Sequence, residues 1–412
     1  MRVLHISTFQ KGGAGMAAFR LHKQLLSQGV KSEYLFLLNG EISEHVHGYY
    51  TQNRVLSIML RVLKKAGLPL DMEQRNDFKI RKYKRKVELF SFARTPYSAL
   101  NDHILFQQCD LIHLHFIANF VDFPSFFAGL NKPIIWTLHD MNPFMGGFHY
   151  RGDKERFGKA LQDLDFEQFD TKKNALDAYD PEQITVVTPS KWLLNESKRS
   201  KILGKYKHKH ISNGIDINTF TLQDKNSCRQ KLGLNKGATI VLFVAESLSN
   251  YRKGFDMIKN LFDTNEVQKL DVQFVAIGKI NESEKIPQVV YLGSINSEER
   301  MSEAYNAADI FLLPSREDNL PNTMIESLCC GTPIVGFNIG GVSETILNGF
   351  NGFLSQKVSA PALKEALEKC LQHLPEFDRQ EIADQSQKKY SVSDQAKAFI
   401  ELYEVSGGFN KP

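Results

Sequence analysis

Short, unbroken apolar runs, each followed by a turn and then a helical pattern, recur along the chain. This alternation limits the fold more than any other feature. Val3-Leu4-His5-Ile6-Ser7 is the first run. Gly12, Gly13 and Gly15 follow as a turn, an apolar helical pattern spans 16–26, and a second strand covers 34–38. Similar runs lie at 111–114, 134–137 and 184–187. Strand–helix–strand order predicts a parallel sheet, and continuously apolar strands predict one covered on both faces. After Asn213-Gly214 the alternation restarts. Strands are expected at 239–244, 272–277, 289–292, 309–313 and 334–337, and helices at 255–262, 297–307 and 323–330. The predicted class is α/β, with two Rossmann-like, doubly wound domains. The boundaries read as 1–210 and 211–390, with a helical segment at 391–412 able to cross back to the first domain.

Composition supports this and narrows the function. Of 412 residues, 42% are hydrophobic and 24% charged, which is ample for a core and excludes a disordered chain. Lys and Arg (51) exceed Asp and Glu (47) by only four, so charge gives no reason to expect nucleic acid as a partner. Five scattered cysteines without a CxxC predict neither a zinc ribbon nor a disulfide framework. The N-terminus MRVLHISTF lacks a signal-peptide pattern, and no run reaches the ~18 apolar residues of a spanning helix. A cytoplasmic protein is expected. Residues 54–94 stand apart, with twelve Lys/Arg against four acids. Val55, Leu56, Ile58, Met59, Val62 and Leu63 beside Arg61, Lys64 and Lys65 read as a basic amphipathic helix. Such a helix can rest on an anionic membrane, at the cytoplasmic face of the plasma membrane, or pack on its own domain.

Several polar clusters fall where strands end. Gly13-Ala14-Gly15-Met16-Ala17-Ala18 fits a dinucleotide-binding pattern, but the second strand ends at Asn39-Gly40 without the required acid. The same glycines suit any backbone that must approach an anion or a sugar. Arg252-Lys253-Gly254 follows the strand at 239–244, and two cations there can neutralise a diphosphate. Thr137-Leu138-His139-Asp140 ends a strand of the first domain. The stretch Pro314-Ser315-Arg316-Glu317-Asp318-Asn319-Leu320-Pro321-Asn322 runs from a strand into a helix, with Asn322 or Thr323 as the expected N-cap. Backbone amides there suit phosphate or sugar oxygens, and Glu326, one turn into the helix, suits a ribose diol.

The sequence resembles the GT-B glycosyltransferases of family 4, the retaining group 1 enzymes. The likeness rests on the loop at Gly12-Gly13, His113-Leu114-His115, TLHDM at 137–141, TPSKW at 188–192, SNGID at 212–216, RKG at 252–254, AADIFLLPS at 307–315 and ESLCCGTPIV at 326–335. Asp318 and Glu326 fall on the family's two acids. The resemblance implies two Rossmann-like domains facing across a cleft, the second holding the donor and the first the acceptor. It implies a UDP- or GDP-sugar as donor and no cofactor. The acceptor would be a polysaccharide or lipid-linked oligosaccharide, as in cell-envelope biosynthesis. His139 and Asp318 would then act at the reacting sugar. Gly12, Gly13, Arg252, Lys253, Asn319, Leu320, Asn322 and Glu326 would bind the donor.

Three departures from the pattern stand out. Asp318 replaces the usual glutamate, Ala245-Glu246-Ser247 replaces an arginine-bearing triplet, and Gly146-Gly147-Phe148 replaces GGC. Two alternatives remain, a sugar-nucleotide epimerase of the same fold and a catalytically silent sugar-binding protein. His113, His115, His139 and His149 are the imaginable metal ligands, but no carboxylate-rich partner accompanies them, so no metal is expected.

Overall fold

The computed structural model describes residues 1–49, 72–83, 87–128, 130–263, 267 and 270–407. The amphipathic stretch around 55–65 lies outside them. The chain divides into two compact units, Met1–Ser212 with Gln395 onward, and Asn213–Asp394.

The first unit is built on one parallel sheet. Its strands are β1 (Arg2–Phe9), β2 (Lys31–Leu38), β3 (Val46–Gly48), β4 (Leu111–Leu114), β5 (Ile134–Thr137), β6 (Ile184–Thr188) and β7 (Lys207–His210). They lie in the order β3-β2-β1-β4-β5-β6-β7. Helices α1 (Gly12–Ser27) and α2 (Gln162–Asp177) belong to this unit. Apolar strands bury completely because helices cover both faces. Ile112, Leu114, Ile134 and Trp136 pack into one core. Val3, Leu111, Ile135 and Val187 pack into another, with Ala396, Phe399 and Tyr403 of the C-terminal helix. Each such buried side chain stabilises the fold by about 1.5–3 kcal/mol.

The second unit repeats the plan with β8 (Thr239–Ser247), β9 (Val272–Lys279), β10 (Val289–Tyr291), β11 (Ile310–Leu313), β12 (Ile334–Phe337) and β13 (Gly352–Ser355). The order is β10-β9-β8-β11-β12-β13, and every ladder is parallel. Helices α3 (Phe255–Asp263), α4 (Glu298–Ala307) and α5 (Asn322–Cys329) follow β8, β10 and β11. Both sheets have the doubly wound order in which the chain reverses direction beside the first strand. In the second unit that switch point lies between β8 and β11. Helix α6 (Val392–Ser406) carries the chain back to the first unit.

Two local expectations are corrected. The glycine segment is not a turn preceding a helix at Met16, since α1 already starts at Gly12. Gly15 makes this fit possible. A Cβ there would lie 2.6 Å from the Phe9 carbonyl oxygen, so only glycine lets the first turn press on the end of β1. The N-cap of α5 is Pro321, not Asn322 or Thr323, and no side chain caps it. Asn322 enters the first turn instead, where its Oδ1 accepts from Asn213 Nδ2 at 3.1 Å.

Candidate active site

In the second unit, the loops after β8 and β11 carry the expected donor residues on either side of the switch point. Asn250 Oδ1 accepts from the Arg252 amide at 3.0 Å and starts a single 3-10 turn over Tyr251–Lys253. Gly254 ends that turn with φ of +75°, and a Cβ there would meet the Pro314 carbonyl oxygen at 2.0 Å. The two loops are therefore pressed together. The Arg316 amide donates to the Arg252 carbonyl at 2.8 Å. The Arg316 guanidinium stacks on Tyr251 at 3.8 Å and pairs with both Asp256 oxygens at 2.7 and 2.6 Å.

This packing brings cations and acid together. Lys253 Nζ donates to Asp318 Oδ2 at 2.5 Å, and Arg252 lies 3.3 Å from the same oxygen. Arg252 also donates to the Glu317 carbonyl at 2.9 Å, and Ser315 donates to Asp318 at 3.2 Å. Burial alone would raise the Asp318 pKa. Lys253 and Arg252 outweigh it and hold the carboxyl below its ordinary value. The sequence placed these three residues in one site but did not foresee that they pair directly.

Glu326 sits inside α5, 7% exposed, and its Oε2 accepts from the Tyr305 hydroxyl at 3.0 Å. Tyr305 is fully buried on α4, and sequence reasoning missed it. Asn319 is buried, and the Leu320 side chain belongs to the core, so only its backbone can serve a ligand. Where the family carries its arginine triplet, β8 instead runs through Ala245-Glu246-Ser247 with an irregular register against β9.

In the first unit, Gly12 and Gly13 open α1 and are exposed. A Cβ on Gly13 would meet nothing within 4 Å, so packing does not require a glycine there. His139 follows β5 and is half-buried. It lines a small pocket with His115, Phe116, Trp136 and Asp140. Burial lowers its pKa to about 4, against a weaker opposing effect of Asp140.

The loop after His139 is braced from beneath. Asp140 Oδ2 holds His149 Nδ1 at 2.6 Å, and His149 Nε2 meets the Ser91 hydroxyl at 2.7 Å. The order of these bonds is that of a hydrolytic triad. Ser91 is only 1% exposed, however, and also accepts from Asn119, so the group acts as a brace. Lys172 on α2 donates to the Asn142 and Gly146 carbonyls at 2.7 Å each, and burial lowers its pKa to about 7. Phe148, in place of the family cysteine, is fully buried and packs edge-on against Phe90 at 5.1 Å.

Among the described residues, His5, His113 and His115 come nearest to a metal-binding cluster, with one ring nitrogen each within 4.8 Å of the others. Both His113 nitrogens are engaged, by the Tyr403 hydroxyl at 2.6 Å and Thr137 Oγ1 at 2.7 Å. His5 and His115 bond to each other at 3.0 Å. Hydrogen bonds therefore engage every ring nitrogen of the cluster except His5 Nε2. The four histidines imagined as ligands do not converge, since His149 is held by Asp140 and Ser91. All five cysteines are free and buried. No helix among the described residues is long and apolar enough to cross a membrane.

Residues 224–389 match the family described as glycosyl transferases group 1. That span contains Arg252, Lys253, Asp318 and Glu326. An uncharacterised glycosyltransferase of Methanocaldococcus jannaschii is 23% identical over 322 residues, covering 72% of this chain and 75% of that protein. A lipopolysaccharide 1,2-N-acetylglucosaminetransferase of Salmonella typhimurium is 22% identical over 213 residues, covering 46% of this chain and 55% of that enzyme. Among solved structures, sucrose-phosphate synthase of Thermosynechococcus elongatus superposes with a TM-score of 0.68 at 16% identity, covering 100% of both chains. Anabaena HepE, solved with UDP and glucose, gives 0.64 at 16% identity over 98% of this chain and 99% of that one. The fold is GT-B, two Rossmann-like α/β units. The match to group 1 glycosyltransferases lies within the second unit.

Proposed function

We propose that the protein transfers a sugar, with retention of anomeric configuration, from a nucleoside-diphosphate donor to a hydroxyl of a polysaccharide or lipid-linked oligosaccharide. One observation carries the reading: the direct apposition of Asp318 with Lys253 and Arg252. A sugar 1-diphosphate presents hydroxyl donors beside phosphate acceptors, and a carboxylate beside two cations is its complement. Relatives support the donor class, since HepE is solved with UDP and with UDP-glucose. The Salmonella relative and a diacetylbacillosaminyl-diphospho-undecaprenol N-acetylgalactosaminyltransferase of Campylobacter jejuni support the acceptor class.

In the proposed reaction the bond from C1 to the diphosphate oxygen breaks as the acceptor oxygen bonds to C1 on the same face. The acceptor proton passes to the leaving phosphate oxygen, so no protein base is assigned. Negative charge grows on the diphosphate, and Arg252 and Lys253 stabilise it, without a divalent cation. Asp318, with the Asn319 and Leu320 backbone, orients the sugar, and Glu326 holds the ribose. In the first unit, Gly12, Gly13 and His139 are the candidate residues for the reaction, as the family resemblance implies.

Glu326→Ala is expected to weaken nucleotide binding by about 1.5–3 kcal/mol, the usual loss for a hydrogen bond to a charged group. Tyr305→Phe is expected to cost about 1 kcal/mol by releasing Glu326 from its position. Calorimetric titration with UDP and GDP checks both. Full affinity in Glu326→Ala would defeat the ribose assignment. Turnover unchanged by a chelator checks the absence of a metal requirement. An epimerase would consume donor without acceptor, and a product assay separates the two.

The basic 54–94 segment supports peripheral contact with an anionic membrane, and Arg75, Lys79, Arg81, Lys82 and Arg94 are its described cations. Flotation with anionic liposomes should recover the wild type, and charge reversal at Lys82, Lys84 and Arg85 should reduce recovery several-fold. Equal recovery of both would reject the contact.

A further inference from the structure

Three histidines from neighbouring strands form a hydrogen-bonded row that ends at His139. His5 lies on β1, His115 just past β4 and His139 just past β5. His5 Nδ1 meets His115 Nε2 at 3.0 Å, and His115 Nδ1 meets His139 Nε2 at 3.4 Å. The His5 and His115 ring planes are 15° apart, and those of His115 and His139 are 30° apart. His5 is 0% and His115 2% exposed. No carboxylate bonds to this pair, so the rings are neutral and each carries one proton.

Two proton arrangements satisfy both bonds. In the first, His139 donates from Nε2 to His115, which donates to His5. The His5 proton then sits on Nε2. That nitrogen is buried and has no hydrogen-bond partner. Its neighbours cannot help. Both His113 nitrogens are engaged by Tyr403 and Thr137, and His22 Nε2 is likewise without a partner while its Nδ1 bonds to Ser32 at 2.7 Å. The first arrangement therefore buries an orphan N–H. In the second, His5 donates from Nδ1 to His115, and His115 donates from Nδ1 to His139. The orphan is then only a lone pair, which buried groups tolerate better than an unpaired N–H.

We propose that His5 and His115 are positioning residues that fix the tautomer of His139, so that its Nε2 accepts and its Nδ1 carries the proton. The Nδ1–H of His139 is then a hydrogen-bond donor, of the kind that a sugar hydroxyl oxygen or a phosphate oxygen accepts. It is not a base, because its one lone pair is held by His115. This refinement rests on the glycosyltransferase reading of His139, but the row itself does not.

Ring-nitrogen NMR of the full chain labelled with 15N-histidine tests the row directly, with His139 signals assigned from His139→Gln. At neutral pH, His139 should show a protonated Nδ1 and a non-protonated Nε2, favoured about tenfold or more. In His115→Phe the preference should be lost, and His115→Asn, which keeps an amide donor, should restore part of it. A wild-type His139 protonated at Nε2 would overturn the proposal even if the variants fail to fold. So would a tautomer unchanged in His115→Phe. A sugar-transfer assay separates the two ideas. An active protein with the wrong tautomer loses only the row. A protein with the proposed tautomer that transfers no sugar loses only the functional reading.

Discussion

Replacing Lys253 with alanine is expected to lower turnover by about two to three orders of magnitude, or about 3–4 kcal/mol of barrier. The size follows from where charge develops. In the proposed reaction the diphosphate gains negative charge as the bond to C1 breaks, and a preorganised cation is worth most at that moment. Lys253 is preorganised on two counts. Gly254 presses its turn against Pro314, and Asp318 holds its ammonium at 2.5 Å. Donor affinity should fall less than turnover, because Arg252 remains beside the same carboxylate. Lys253→Arg should recover part of the rate, since it keeps the charge but changes its shape. Steady-state kinetics with a cognate donor checks this. Wild-type turnover in Lys253→Ala would remove the cation from the mechanism.

The second large effect is acid unfolding of the first unit. His5, His113 and His115 are held well below the ordinary imidazole pKa, by burial first and then by neighbouring histidines. His22 is lowered to about 4, again mainly by burial. Above a pH of about 6.5 these rings are neutral in both states and their contribution is flat. Below it the unfolded chain binds protons that the folded chain refuses, so stability falls as pH falls. Each ring contributes about 1.4 kcal/mol per pH unit. Four together remove about 5–6 kcal/mol per unit, against a total of about 5–15 kcal/mol for a typical domain. Loss of near-UV circular dichroism is therefore expected with a midpoint of about pH 5. His22→Gln should make the decline shallower by one ring's share. A wild type still folded at about pH 4 would contradict this account of the buried histidines.

Much of this architecture was legible because burial writes itself into sequence. The central strands carry unbroken apolar runs, and each was recognisable from that alone. The strands that escaped notice lie at the sheet edges. β7 reads Lys-His-Lys-His and is largely exposed, so it has no apolar signature. β3 has only three residues. The start of α1 was misplaced because three glycines argue locally for a turn. Only the close approach of Gly15 to Phe9 reveals that a helix needs one of them.

The site was legible as a set of residues but not as a set of contacts. Their places at strand ends and the family resemblance grouped Lys253, Asp318 and Glu326, yet neither says that a lysine and an aspartate 65 residues apart share a hydrogen bond. Tyr305 is one aromatic in a helical pattern, and no motif sets it apart. Arg316 stood within a recognised motif, but its stacking on Tyr251 depends on the fold of two separate loops. His5 lay in a strand where a buried polar ring had no visible partner. The partner, His115, is 110 residues away in sequence.

Thermal denaturation with a panel of UDP- and GDP-sugars probes the heart of this account, because a ligand that prefers the folded state raises its stability in proportion to affinity. One nucleotide sugar should stabilise the wild type by about 2–3 kcal/mol at a hundredfold excess over its dissociation constant. The Lys253→Ala/Glu326→Ala double variant should show little or none of that gain. A wild type that no nucleotide sugar stabilises, or a double variant stabilised as fully as the wild type, would contradict it.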